Sequence, residues 1–399
     1  MEPAMQSEAA PRGVPLVSPL AHLAYVFSEY SSGTGSAMST KIHAQARAHE
    51  AMGGRSYVVV SDRRQHDYPD GTLVRYSSTR PTTREWFTDR ERRMDAACGL
   101  LLRQRPFSAR FHREALDAVP RDAKALVVYN QAGAVTSGLA RRFDGKIVLH
   151  LGNDVFRSWR APEIRKVIER THVTVAVSDH LAGTVADRLG YRPDNLHVLR
   201  NGVDTERFRP QDRPDRMPPT ILFVGNVLPH KGAHHLIAAA HLLSERTRNF
   251  RVRIVGSSGL RPAAGLSDYE VELRRSAAPL GDLVEFTPFV DRNDLPAVFG
   301  DADVFAMPVD WEEPAGQVVT EAMASALPVV SARRGGIPEY LGDDGVYVEP
   351  RDAAAFADAL HSLLADAAER AQRGSALRRR AESMTWERHV RELMRLVGD

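Results

Sequence analysis

Short β-rich apolar runs divided by helix-length segments fill this sequence almost throughout, and that alternation leaves few folds open to it. LAYVF (23–27), SYVVVS (56–61), ALVVYN (125–130), KIVLHL (146–151) and VTVAVS (173–178) come before a break. TILFVG (220–225), FRVRIVG (250–256), LVEFTPF (283–289), DVFAMP (303–308), LPVVSA (327–332) and VYVEP (346–350) follow it. Runs of this kind are buried on both faces and need crossover helices, so they predict parallel sheets. The break, ERFRPQDRPDRMPP (206–219), is proline-rich, charged and weakly periodic, which predicts a linker. A length of 399 residues suits two cores better than one. The expected fold class is therefore α/β, with two doubly wound Rossmann-like domains facing each other across a cleft. The expected divisions are a disordered tail (1–18), a first domain (19–205), the linker (206–219), a second domain (220–384) and a terminal helix (385–399). Ligands of such sheets bind outside the carboxyl ends of the strands. Both domains supply such ends, so the cleft is expected between them.

Composition removes several function classes. The net charge is +2, with basic and acidic residues interspersed, which gives nucleic-acid binding no support. Cys98 is the single cysteine, so there is no disulfide framework and no cysteine-based zinc site. No run of about eighteen apolar residues is present to span a membrane. The opening MEPAMQSEAAPRGVP lacks the charged-then-apolar layout of a signal peptide. A cytoplasmic protein is the expectation.

The segment Trp311–Leu341 is the richest in chemistry. Pro314 suits a helix start, and Gly316 lets backbone approach a ligand closely. Gln317 and Val318 open the helix, and Val318, Val319, Ala322 and Met323 give it an apolar face. Glu313 then stands in the loop before the helix and Glu321 about a turn and a half inside it. A helix N-terminus beside the Gly335–Gly336 turn offers backbone N–H groups to phosphate. Two carboxylates at different depths suit hydroxyls at two places on one ligand. Ordinary solvated or capping glutamates are the competing reading.

Other stretches point to the same cleft. In FVGNVLPHKG (223–232), Gly225 ends a strand, Asn226 follows it, and Lys231 precedes a helix, where an ammonium can pair with a diphosphate. Gly33 and Gly35 make a flexible turn before a helix that Gly53 and Gly54 end. His150, Asn153 and Asp154 stand at or just past the end of KIVLHL; His150 is equally a core histidine. Phe289 and Val290 end a strand on the cleft side. His230, His234 and His235 have no accompanying carboxylate in sequence, so no metal site is expected. The stretch 62–87 reads as an insertion that shapes a substrate site. Arg103, Arg105, Arg110 and Arg113 suit either a peripheral membrane contact or an amphipathic helix.

Taken together, these residues resemble the family 4 glycosyltransferases, of GT-B architecture. The family pattern E-P-F-G-x-x-x-x-E-A-M-A-x-G-x-P-V-V, followed by a G-G-x-x-E turn, is matched at Glu313, Pro314, Gly316, Glu321, Ala322, Met323, Ala324, Pro328, Gly335, Gly336 and Glu339. It is broken at Ala315, usually bulky, and at Ala326, usually glycine. Asn226 stands where the family has an arginine, and Gly152 where it has a histidine, with His150 two residues earlier on the same strand face. The resemblance implies retaining transfer of a hexose-type sugar from a nucleoside-diphosphate sugar, UDP- or GDP-linked, with no further cofactor and no metal. It implies that Glu313 contacts the donor sugar, Glu321 the ribose hydroxyls, and Phe289 and Val290 the base. The glycine loop at Gly33 and Gly35 is then near the diphosphate, and Glu313, Lys231 and His150 are the catalytic candidates. A sugar-nucleotide epimerase and a noncatalytic nucleotide-sugar-binding protein are the alternatives. A small natural product, a lipid and a glycan all remain open as acceptor.

Overall fold

The computed structural model describes residues 16–24, 29–77, 89–102, 105–106, 112–136, 143–211, 218–259 and 265–398. Two parallel sheets account for the strands. In the first, β1 (Leu20–Leu23), β2 (Ser56–Ser61), β3 (Thr72–Tyr76), β4 (Ala125–Tyr129), β5 (Lys146–Leu151), β6 (Val173–Ala176) and β7 (Leu196–Val198) run in the order β3-β2-β1-β4-β5-β6-β7. In the second, β8 (Thr220–Val224), β9 (Arg251–Val255), β10 (Val284–Thr287), β11 (Val304–Met307), β12 (Val329–Ser331) and β13 (Val346–Tyr347) run β10-β9-β8-β11-β12-β13. Each order reverses beside its own first strand, at β1/β4 and at β8/β11. Those reversals open crevices at the carboxyl ends, where ligands settle in doubly wound sheets.

Burial explains which strands the sequence announces. β4 and β11 are wholly buried and correspond to unbroken apolar runs, and β5 is almost as buried, its run interrupted by His150. β3 lies at a sheet edge with two of its five residues exposed, and β7 is a three-residue edge strand. Neither has an apolar run to betray it. β3 falls inside 62–87, so that stretch adds an edge strand to the first sheet instead of being a simple insertion; 78–87 lie outside the described residues. The first strand occupies Leu20–Leu23, earlier than its apolar run, of which 25–27 lie outside the described residues. Of the expected tail, 1–15 also lie outside them, while Leu16 and Val17 pack on the first domain.

The domains are tied at several points. Phe208, in the expected linker, is buried and meets Phe299 edge-on at 5.6 Å. Arg378 donates to the carbonyls of Thr205, Phe208 and Ala324, fixing the linker entry to the second domain. Glu339 accepts from the amides of Asp179 and His180, at 2.7 and 2.8 Å, and so closes the N-terminus of the helix Asp179–Leu189 from across the interface. The helix Trp386–Gly398 turns its apolar face to the first domain. Trp386, Val390, Leu393, Met394 and Val397 share a buried cluster with Leu20, Ile42, Ala46 and Val175. Among the described residues no helix is long and apolar enough to cross a membrane.

Ala326, which replaces the family glycine, carries the cost of that replacement in its backbone. It follows the helix Gln317–Ala324 with φ of 56°, left-handed for an L-residue. Glycine occupies that region freely, whereas a Cβ there costs about 1 kcal/mol or more. Ala326→Gly is therefore expected to stabilise the protein by about 1 kcal/mol, visible as a higher denaturant midpoint with an unchanged slope.

Candidate functional site

An open cavity, about 650 Å³ with its solvent-filled mouth included, lies between the two domains. The first domain lines it with Thr34, Gly35, Ala37 and Thr40, from the glycine turn and the start of the helix Ala37–Ala51. Across from these stand Gly225, Asn226, Phe289, Val290, Gln317 and Val318. The structure thus gathers seven of the sequence-derived candidates on one surface. Gly33 lies close by: a Cβ placed on it would stand 3.9 Å from Asp291 Oδ2 of the second domain.

The helix Gln317–Ala324 begins at this cavity. Gly316, its N-cap, has φ of 69° and supplies no side chain to cap the first turn. The amides of Gln317 and Val318 are thus left for another acceptor, while Val319 N bonds Gly316 O at 2.8 Å. Glu313 sits beside them, with its Cγ 3.6 Å from where a Gly316 Cβ would stand. Its carboxylate receives Lys231 Nζ at 2.6 Å and Trp311 Nε1 at 3.0 Å, and the Lys231 ammonium lies 4.9 Å over the Trp311 ring. The Gly335–Gly336 turn holds this loop from behind. Gly336 N donates to Glu313 O at 2.8 Å, and a Cβ on Gly335 would stand 2.6 Å from Glu313 N. Glycine at 335, where φ is 56°, is thus a packing requirement as much as a conformational one.

Glu321 is fully buried, and both of its oxygens accept from the Arg292 guanidinium. Burial acts to lower the Arg292 pKa, but the Glu321 charge and hydrogen bonds override it and leave it raised. Arg292 lines the cavity, packs over the Phe208 ring at 5.6 Å, and donates its backbone N–H to Ser32 O of the first domain at 3.4 Å. Sequence reasoning missed this residue. The polar run Asp291–Asn293 after a β-rich stretch was the available signal.

His150 takes the core alternative. It is 1 % exposed, and its ring lies between those of Tyr129 and His389, at centroid distances of 5.3 and 5.7 Å. Burial first, then the charges of Lys41 and two histidines, pushes its pKa well below 6.5. It is a neutral ring with both nitrogens buried and offers nothing to the cleft as it stands. Asp154 is bound by Arg188, Nη2 to Oδ2 at 2.6 Å. Arg105 bonds Glu163 at 2.9 Å and covers the Trp159 ring, which commits it internally and not to a membrane; Arg103 and Arg110 lie outside the described residues.

The fold does bring a carboxylate to His234 and His235. Asp310 accepts from His235 Nε2 at 2.9 Å and from Arg351 Nε at 3.0 Å, and the three candidate ligand atoms lie within 4.8 Å of one another. Burial alone would raise the Asp310 pKa, but the bonds from His235 and Arg351 hold it below the usual carboxylate range. Arg351 already supplies the positive charge that a cation would bring.

Known proteins give this geometry a family. Residues 204–380 match the family Glycosyl transferases group 1, and residues 38–207 match Glycosyltransferase Family 4. D-inositol 3-phosphate glycosyltransferase of Salinispora tropica is 32% identical over 255 residues, covering 59% of this chain and 52% of that protein. Spore coat protein SA of Bacillus subtilis is 27% identical over 271 residues, covering 63% and 72%. The match thus spans about half the length of the first of these relatives. Among solved structures, sucrose-phosphate synthase from Thermosynechococcus elongatus superposes with a TM-score of 0.70 at 20% identity, covering 94% of this chain and 97% of that one. Anabaena HepE, solved with UDP and glucose, superposes with a TM-score of 0.66 at 19% identity, over the same shares. At these identities the structures speak for the GT-B fold alone.

The Arg292–Glu321 pair generates a stability prediction. Arg292→Ala leaves a fully buried carboxylate without its partner, which costs about 3–5 kcal/mol in comparable pairs. Adding Glu321→Gln removes the stranded charge and is expected to recover much of the loss. Denaturant unfolding of the two single variants and the double variant measures the coupling.

Proposed function

We propose that this chain, which belongs to the group 1, family 4 glycosyltransferases, transfers a hexose-type sugar from a nucleoside-diphosphate sugar to an acceptor with retention at the anomeric carbon. The observation that carries the proposal is the interdomain cavity. One wall ends in the uncapped helix start at Gly316 with the Lys231–Glu313 pair beside it, and the other carries the glycine turn at Gly35. A diphosphate laid between them meets backbone amides and an ammonium, the donors that oxyanions favour. The HepE structures, solved with UDP and with UDP-glucose, support a uridine nucleotide as the first donor to try.

Each residue has a chemical part in this reading. The bond from the anomeric carbon to the β-phosphate oxygen breaks while negative charge grows on the diphosphate. Lys231 and the helix amides stabilise that charge, most strongly at the transition state. The acceptor oxygen bonds the same face of the anomeric carbon, and its proton passes to the departing phosphate oxygen. Glu313 accepts from sugar hydroxyls and trades its bond to Lys231 for them as the donor enters. Glu321 accepts from ribose hydroxyls, with the Arg292 guanidinium yielding room. Phe289 and Val290 take the base. Closure around the donor excludes water that would otherwise hydrolyse it.

The test begins with thermal stabilisation by UDP- and GDP-sugars, since a ligand of the folded state raises apparent stability by mass action. With the best donor, Lys231→Ala is expected to lower kcat by about 10²–10³-fold, the loss typical of one transition-state donor. Normal turnover in that variant removes Lys231 from the chemistry. Acceptor-free conversion of the donor into an isomeric nucleotide sugar, and not into free sugar and nucleotide, replaces the transferase reading with an epimerase.

A further inference from the structure

Lys41 is a lysine without an acidic partner in the interior of the first domain. It lies in the second turn of the helix Ala37–Ala51 and is 8 % exposed. Among the described residues no hydrogen bond or ion pair holds its ammonium. Burial alone lowers its pKa from 10.5 to about 7. A lysine in such a place either gives up its proton or takes a counter-charge from outside the chain.

The ammonium sits at the carboxyl end of β5, where ligands are taken. A Cβ on Gly152, the first residue past β5, would stand 3.2 Å from Lys41 Nζ and 3.4 Å from Asn130 Nδ2. Asn130, the first residue past β4, has φ of 53°, a conformation sustained here by its own side chain. Its Oδ1 accepts from the amides of Gly152 and Asn153 at 2.7 and 3.2 Å, which turns Nδ2 toward the lysine. Two donors therefore converge over a residue that has no side chain. The titratable groups around them carry no charge to oppose or satisfy the ammonium. His22 on β1 and His389 on the helix Trp386–Gly398 are held at about 3 and about 4, and His150 on β5 well below 6.5, in each case chiefly by burial. Tyr129 on β4 is held neutral by burial that raises its pKa. On the adjoining loop, the Asp154 carboxylate is taken by Arg188.

We propose that Lys41 and Asn130 form an oxyanion subsite on the first-domain side of the cleft, which holds a phosphate or carboxylate borne by the acceptor. The subsite follows from the two donors alone. Its assignment to the acceptor rests on the transferase reading above. A bound oxyanion favours the charged lysine, so affinity and protonation of Lys41 rise together.

Inorganic sulfate, whose charge is constant over the working range, is the probe, and calorimetry on the full chain is the measurement. Wild-type affinity is expected to fall about tenfold from pH 6 to pH 8, as the lysine loses its proton near 7. Lys41→Arg is expected to bind with no such fall, because its guanidinium stays charged. Lys41→Met is expected to lose sulfate yet melt at a higher temperature than wild type. That gain is full below pH 7 and vanishes as pH rises toward 10.5, where the lysine is neutral in both folded and unfolded states. Sulfate binding that survives in Lys41→Met and disappears in Lys231→Met overturns the subsite and leaves the transferase reading intact. A subsite that UDP empties overturns the acceptor assignment, because the anion would then be the donor's. Sulfate bound through Lys41 alongside saturating UDP supports the full proposal. Binding through Lys41 in a protein that no nucleotide sugar stabilises upholds the subsite and sinks the transferase reading.

Discussion

A parallel sheet concentrates its loops at one end, so two such domains make one site only when those ends are held facing each other. In this protein backbone polar groups at the interface share that holding with the apolar contacts of Phe208 and the terminal helix. Glu339 seals the free amides at the start of the helix Asp179–Leu189, where a carboxylate also meets the positive end of the helix. Beside it, the Tyr340 hydroxyl donates to Val177 O at 2.7 Å and accepts from Asn201 N at 3.0 Å. Gln317, at the mouth of the cavity, donates to Gly202 O at 3.1 Å. Every one of these bonds joins a side chain of the second domain to the backbone of the first. The orientation of the domains is therefore coupled to the helices that border the ligand cavity, and a ligand that shifts those helices shifts the interface with them.

How much of this was legible in the sequence follows from what each residue answers to. β5 is legible to the residue because burial on both faces leaves a run that is apolar from Ile147 to Leu151 but for His150. β3 and β7 are not, because edge strands have no such run. The places of Glu313 and Lys231 beside helix starts, and of the glycine turns, are legible because turn chemistry and helix starts are local. Arg292 and Lys41 were invisible for the opposite reason. Their meaning lies in partners far away in sequence, Glu321 for the one and Asn130 with Gly152 for the other. His150 was ambiguous in sequence because strand periodicity fixes a face and not what covers it. Here Tyr129 and His389 cover it.

The first domain has a polar interior beneath the ends of β4 and β5. His22 Nδ1 and Tyr129 Oη lie 2.7 Å apart, and the same hydroxyl donates to Gln45 Oε1 at 2.8 Å. His389 Nδ1 bonds Arg200 O at 2.8 Å while its ring stacks toward His150. Hydrogen-bonded groups in a low-dielectric interior resist rearrangement, because each partner lost strands another. These bonds lie under the ends of β4 and β5, which Asn130 and Gly152 follow.

One strand of that interior has a consequence in time. His389 and the apolar face around it belong to residues 386–398, yet they complete the core that Leu20, Ile42 and Val175 begin. During synthesis from the amino terminus, domains generally fold as they emerge. Here the first domain emerges with an open seam over its sheet and keeps it while the whole second domain is being made. The apolar face that Trp386, Val390, Leu393 and Met394 cover is thus the last part of the first-domain core to receive its partner.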